Sequence, residues 1–215
     1  MAAEVKICGL STPETVDAAI AAGAGFVGLV FYPRSPRNVT LETAAKLAER
    51  ARGKARIVAL TVDADDRLLR EIAARVAPDF IQAHGSETPE RVAAMAALTG
   101  KPVIKAIKVR DAGDIAGATA FTQAASLILY DAKAPETLGN ALPGGNGHAF
   151  DWALLDGGKR PAFVLAGGLT PENVAQAIRM TGAPIVDVSS GVESAPGVKD
   201  IGLIRKFIEA VKSAS

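Results

Sequence analysis

Apolar positions along the chain follow two alternating rhythms. Short aliphatic runs such as VKIC, FVGLVF, RIVALTV, ASLILY and PIVDV alternate with longer stretches in which apolar residues return every three or four positions. The first rhythm predicts buried strands and the second predicts amphipathic helices. Strands are expected near residues 4–8, 26–31, 56–62, 79–83, 102–107, 125–130, 162–166 and 184–188. Helices are expected after most of them. One runs from about Asp65 to Val76. Another spans Asp200–Lys212, where Ile201, Ile204, Ile208 and Val211 share a face.

One design recurs three times, from Ser11, from Glu87 and from Leu169: Thr-Pro-Glu, an Ala-rich apolar period, Gly, then a strand-like run. Thr12, Thr88 and Thr170 can accept from the free N–H groups of a helix start. Pro13, Pro89 and Pro171 suit the first helical position. Glu14, Glu90 and Glu172 oppose the positive end of the helix dipole. Gly23, Gly100 and Gly182 fit a left-handed helix end. Strict strand–helix alternation implies a parallel sheet with helices outside. Eight units predict a closed (β/α)8 TIM barrel, an α/β fold, as a single domain over residues 1–215. The chain falls short of the roughly 250 residues typical of that fold, so most of its loops must be short. An open doubly wound sheet is the alternative. The echo of one unit in both halves favours the barrel.

Composition narrows the partners. Lys+Arg at 24 against Asp+Glu at 23 leaves a net charge of +1, which offers no electrostatic case for nucleic acid or a membrane surface. The uncharged run Ala18–Tyr32 is too short to span a bilayer and is broken by Gly23, Gly25 and Gly28. The opening MAAEVKICGL places Glu4 and Lys6 where an export signal needs an apolar core. With a single cysteine, the expected location is cytoplasmic. One Cys and two widely spaced His give no zinc spacing, so no metal is expected.

The barrel expectation directs attention to strand C-termini, where such folds carry their sites. Strand parity sends Val5 and Ile7 outward to the helices, and Lys6 and Cys8 into the barrel. Cys8 is then either an inert core residue or a reagent whose thiolate a nearby ammonium favours. Asp131 follows LILY and is either an acid–base group or a turn residue. Residues 132–149 hold two Pro and four Gly with no helical period, which reads as a functional lid. GGNG within it lacks the dinucleotide fingerprint. AGGL and SSG end the seventh and eighth strands, where barrels bind phosphate on backbone N–H groups. That makes Gly167, Gly168, Ser189, Ser190 and Gly191 the candidate phosphate site. Arg34 and Arg37 lie in a proline-stiffened loop, and arginine suits a carboxylate or phosphate. His84 is either a ligand to substrate or a satisfied structural histidine. Taken together, these residues imply a cofactor-free barrel enzyme acting on a small phosphorylated molecule by acid–base chemistry.

The segments VKICGL, GLVFYPRSPRNV, IQAHG, VIKAIKV, LILYDAK, GGNGHAFDW, LAGGLTPENV and VDVSSGVESAPGVKD, in this order from residue 5 to about 200, resemble the phosphoribosylanthranilate isomerase family of tryptophan biosynthesis. The resemblance implies an Amadori rearrangement of N-(5-phosphoribosyl)anthranilate to the 1-deoxyribulose 5-phosphate, with no cofactor. It implies Cys8 as general base and Asp131 as general acid. Arg37 matches the position that contacts the anthranilate part. His84 and Asp187 are further candidates for substrate binding, and AGGL and SSG match the phosphate loops. Ala83 and Asn146 depart from the residues usual in that family. Monomer and homodimer are both compatible with the sequence. Two rival readings remain: the related barrel isomerase of histidine biosynthesis, which would be expected to pair aspartates at opposed strand ends, and a non-catalytic barrel that binds a phosphorylated ligand.

Overall fold

Eight parallel strands close on themselves in chain order, and β1 pairs with both β2 and β8. They are β1 (Glu4–Cys8), β2 (Phe26–Phe31), β3 (Arg56–Thr61), β4 (Phe80–Ala83), β5 (Val103–Val109), β6 (Leu127–Ala132), β7 (Phe163–Leu165) and β8 (Ile185–Val188). This computed structural model describes residues 3–132, 144, 149–155 and 161–214. The barrel is the expected one, and the open sheet is excluded by the β1–β8 ladder. Most of the expected loop at 132–149, with His148 and Asn146, lies outside the described residues.

The helices form where local chemistry starts and stops them. They are α1 (Pro13–Ala22), α2 (Leu41–Ala51), α3 (Asp66–Arg75), α4 (Pro89–Thr99), α5 (Ala112–Gly117), α6 (Val174–Thr181) and α7 (Ile201–Ser213). Thr12 and Thr88 accept from the N–H groups of Thr15 and Arg91, as the Thr-Pro-Glu pattern predicts. Gly23, Gly100 and Gly182 end their helices at positive φ. The third copy differs at its start. Thr170 does not cap α6. The Asn173 side chain instead accepts from the Thr170 N–H and donates to the Gly168 carbonyl. This turn delays the helix to Val174 and ties its entry to the loop after β7.

Parity sorts β1 as expected, and the other strands follow the same rule. Val5, Ile7, Val27, Leu29, Ile81 and Val186 join the layer between sheet and helices. The barrel floor is apolar, with Phe26, Val58, Ile104, Leu129, Val164 and Ile185 packed together. Above this floor the inward-facing polar side chains Lys6, Gln82, Asp131 and Asp187 are all buried. A hydrophobic floor supplies the burial that holds the barrel closed, which leaves the upper layer free to carry chemistry.

Two strands run further than their apolar runs suggest. β5 reaches Val109 and β6 reaches Ala132, with Lys108 paired to Asp131 in register. Lys108 and Asp131 therefore lie within strands and not in the loops after them. The reason is that inward-facing polar residues can continue the ladder at the barrel mouth while the backbone pairing stays intact. Sequence patterning also misses a two-stranded hairpin after β8, formed by β9 (Glu193–Ala195) and β10 (Val198–Lys199). It is too short to give a periodic signal.

Candidate active site

A cavity at the C-terminal end of the barrel is lined by Cys8, Arg37, His84 and Asp131, together with the loops after β7 and β8. Cys8, Val30, Leu60, Asp131 and Asp187 line it from the inward faces of β1, β2, β3, β6 and β8, as the alternation of side chains and the parallel direction of the strands require.

Cys8 sits at the end of β1, 3% exposed. Val30 and Leu60 pack against it. Two residues below, on the same face, Lys6 donates to Asp187 Oδ1 at 2.9 Å. This pair is in direct register between β1 and β8. Burial pushes the Cys8 thiol above its ordinary value. The Lys6 ammonium pulls it down, and the Asp187 carboxylate pushes it up again. The expectation that Lys6 favours the thiolate is therefore right in direction, but burial outweighs it, and Asp187 adds to the opposition. Burial would lower Lys6, yet Asp187 and Cys8 hold it above the usual lysine range. Gly28 on β2 makes room for this trio: a Cβ there would lie 2.9 Å from Cys8 Sγ and 3.2 Å from Lys6 Nζ.

Asp131 is buried on β6. His84, just past β4, places Nε2 3.1 Å from Asp131 Oδ2, and its Nδ1 lies 2.9 Å from Gln82 Nε2. Gly144 lies over this contact. A Cβ at that position would come within 2.6 Å of His84 Nε2 and 2.7 Å of Asp131 Oδ2, so only glycine fits without displacing the pair. The acidic wall of the cavity is thus closed from above by a residue of the GGNG segment.

The loops after β7 and β8 meet at the rim. Gly167 and Gly168 have φ of +85° and +62°, a backbone region that glycine adopts without steric cost. Gly167 also presses on the Ala132 backbone, where a Cβ would lie 2.4 Å from its nitrogen. Both glycines line the cavity together with Ser189 and Ser190. Gly191 does not line the cavity. It packs under the first loop, so close that a Cβ would reach 1.9 Å from the Leu169 carbonyl oxygen. Its role in the fold is to let the two loops touch.

Arg37 reaches the cavity from the loop after β2, and Glu193 of β9 accepts from its Nε at 2.7 Å and its Nη2 at 2.8 Å. Lys199 of β10 donates to Glu193 at 2.6 Å and to the Ser189 carbonyl at 2.8 Å. Burial raises the Glu193 carboxyl, but Arg37 and Lys199 together bring it below the usual carboxylate value. Sequence reasoning missed Glu193, Lys199 and Gln82. Glu193 stands in the VE of DVSSGVE, but nothing local indicates that its partner is Arg37.

Behind the wall, outside the barrel, lies a second buried pair. Lys105 donates to Glu87 Oε2 at 2.6 Å and to the Gly85 carbonyl. Glu87 accepts from the Gly85 and Asp63 N–H groups. This cluster clamps the turn that follows His84.

A closed (β/α)8 barrel with a thiol, a carboxyl and an imidazole converging at the strand ends defines the chain as a barrel enzyme. Comparison with known proteins is more specific. The family model for N-(5'-phosphoribosyl)anthranilate isomerase matches residues 5–210, and the chain belongs to that family. An N-(5'-phosphoribosyl)anthranilate isomerase of Rhizobium meliloti is 52% identical over 215 residues, covering 100% of this chain and 99% of that protein. The crystal structure of phosphoribosyl anthranilate isomerase from Thermotoga maritima superposes with a TM-score of 0.88 at 34% identity, covering 98% of this chain and 99% of that one. A further crystal structure of this isomerase, in complex with reduced 1-(o-carboxyphenylamino)-1-deoxyribulose 5-phosphate, superposes at 0.84 with 32% identity over 98% of this chain and 99% of that one. Among the described residues, no helix is long and apolar enough to cross a membrane.

Proposed function

We propose that this chain isomerises N-(5-phosphoribosyl)anthranilate to 1-(2-carboxyphenylamino)-1-deoxyribulose 5-phosphate, with Asp131 as general acid and Cys8 as general base. The observation that carries the reading is their placement: both line one cavity from separate strands, within a chain that belongs to the isomerase family. Asp131 gives a proton to the ribose ring oxygen, and the C1′–O bond breaks as the amine nitrogen lone pair forms the Schiff base. Cys8 removes the C2′ proton, and its electron pair forms the C1′=C2′ bond of the enolamine. The enol hydroxyl then loses its proton and C1′ gains one, which leaves the ketone. Proton transfers alone balance the reaction, so the residues described are sufficient for it.

The phosphate rests on Gly167, Gly168, Ser189 and Ser190. Backbone N–H groups there can donate without Cβ interference, and Gly191 keeps the two loops in contact. Arg37, held at the cavity by Glu193, offers its positive charge to the anthranilate carboxylate. Asp187 serves the site by holding Lys6, and His84 by its contact with Asp131. The barrel domain holds the whole reaction, in the cytoplasm. Incubation with the fluorescent anthranilate substrate tests the reading directly. Loss of substrate fluorescence at enzymatic rates is expected. Unchanged fluorescence, with binding intact, would leave a non-catalytic barrel.

A further inference from the structure

We infer that Gln82 is a positioning residue for the acid: it selects the tautomer of His84 and so decides which oxygen of Asp131 carries the transferable proton. The inference rests on the proposed role of Asp131 as acid, and it adds a residue to which no part has been assigned.

Three side chains form a line across the buried wall of the barrel. Gln82 Nε2 lies 2.9 Å from His84 Nδ1, and His84 Nε2 lies 3.1 Å from Asp131 Oδ2. All three residues are at most 5% exposed. Gln82 is the inward-facing residue directly below His84, with Phe80 below it, so its orientation follows from strand parity. An amide nitrogen can only donate. Aimed at Nδ1, it opposes a proton there and leaves the imidazole proton on Nε2.

The amide orientation agrees with the local desolvation balance. Gln82 Oε1 has no hydrogen-bond partner among the described residues. Reversal would turn the oxygen to Nδ1 and place two donors where the one unpaired oxygen now lies. Orphaned donors are rarer in buried sites than under-satisfied carbonyl oxygens.

The consequence falls on Asp131. With its proton on Nε2, His84 donates to Oδ2. The acid's own proton is then excluded from Oδ2 and sits on Oδ1, the oxygen that His84 does not occupy. After proton transfer, the same N–H stabilises the carboxylate that forms. The opposite tautomer would reverse both effects. Nε2 would accept the proton of Oδ2, hold it inside the wall and give no stabilisation to the product carboxylate. A donor aimed in advance at developing charge is the kind of arrangement that lowers a barrier without tightening binding.

Nitrogen-15 NMR of histidine-labelled protein at mildly alkaline pH distinguishes the two tautomers directly. The chain has two histidines, and a His148→Gln variant identifies the His84 signals. We expect the Nε2–H form in the wild type. In Gln82→Met, of similar size without the donor, the preference should be lost and kcat should fall about 10- to 100-fold, with KM within about threefold. A wild-type Nδ1–H form overturns the inference, as does a change in tautomer without loss of kcat, or a loss of kcat without a change in tautomer. If Gln82→Met does not fold, Gln82→Asn, whose shorter stem withdraws the donor, is judged by the same criteria. Asp131→Asn measured alongside separates the two ideas. Near-normal turnover there removes the acid reading itself. Low turnover there with an unaffected Gln82→Met removes only the role of Gln82.

Discussion

The two walls of the cavity solve different electrostatic problems. The β1–β8 wall holds the thiol beside a full ammonium and a full carboxylate, Lys6 and Asp187. The β4–β6 wall holds the carboxyl beside an imidazole and an amide. A proton acceptor gains from a nearby cation, which favours its charged form. A proton donor must not have one, because a cation would strip its proton before substrate arrives. The wall that carries the base therefore contains a lysine–aspartate ion pair, and the wall that carries the acid sets an imidazole and an amide beside the carboxyl. The base wall is not simply cationic, because Asp187 opposes the effect of Lys6 on the thiol. Burial then leaves the thiol raised, a base that is strong once formed but sparsely ionised.

Removing the acid should break this comparison most severely. Asp131→Asn keeps shape and hydrogen bonding but has no acidic proton. Its kcat should fall about 1000-fold, roughly 4 kcal/mol of barrier, with binding of a product analogue retained. Fluorescence-monitored turnover checks it, and near-normal turnover would refute the assignment. Cys8→Ala should cost about 100-fold or more in kcat. Its small cavity should lower the unfolding midpoint only modestly. If the variant lost stability but kept turnover, Cys8 would be packing and the two walls would not be a base and an acid.

Lys6→Met tests the charged wall from within. It leaves Asp187 buried and unpaired, which should destabilise the fold by about 3 kcal/mol in denaturant titration. It should also move the pH midpoint of thiol alkylation upward, since Lys6 lowers it more than Lys199 does. An unmoved midpoint would show that Lys6 does not prepare the base. The smallest effect should come from acid. Glu87 and Glu193 both lie below their ordinary value of 4.5, because burial, which raises them, is outweighed by Lys105, and by Arg37 and Lys199. A depressed carboxyl contributes stability above its unfolded value and loses it as pH falls through the folded one. Stability should therefore be flat above pH 4.5 with respect to these groups and fall below it. Lys105→Met should weaken that fall, and an unchanged acid profile would remove Glu87 from the account.

The same contrast shows what a linear reading captures. Cys8 and Asp131 could be placed because each ends an apolar strand, and strand ends can be read from composition. The phosphate loops were visible as glycine and serine after the seventh and eighth strands. Gly191 belongs to the serine–glycine run of the candidate phosphate site, and the structure adds that it seats one loop on the other. Gln82 looked like an ordinary strand residue, and Glu193 and Lys199 fell in a hairpin with no periodicity. The third Thr-Pro-Glu carried the same letters as the first two, yet Asn173 redirected its start.

The order of strands and helices, the closed (β/α)8 class and the inward face of each strand were already determined by the amino-acid sequence. They follow from periodicity, caps and glycine stops, which act within a few residues. The pairings that give the site its chemistry were decided only by tertiary structure. Lys6 meets Asp187 across 181 residues, Arg37 meets Glu193 across 156, and His84 meets Asp131 across 47. Closure of β8 onto β1 creates the first of these pairs, and no local rule specifies it. Once the side chains are buried, desolvation makes each partner a determinant of the other's charge. The sequence therefore located the reacting groups, and the closed barrel determined the charge and hydrogen-bond setting of each.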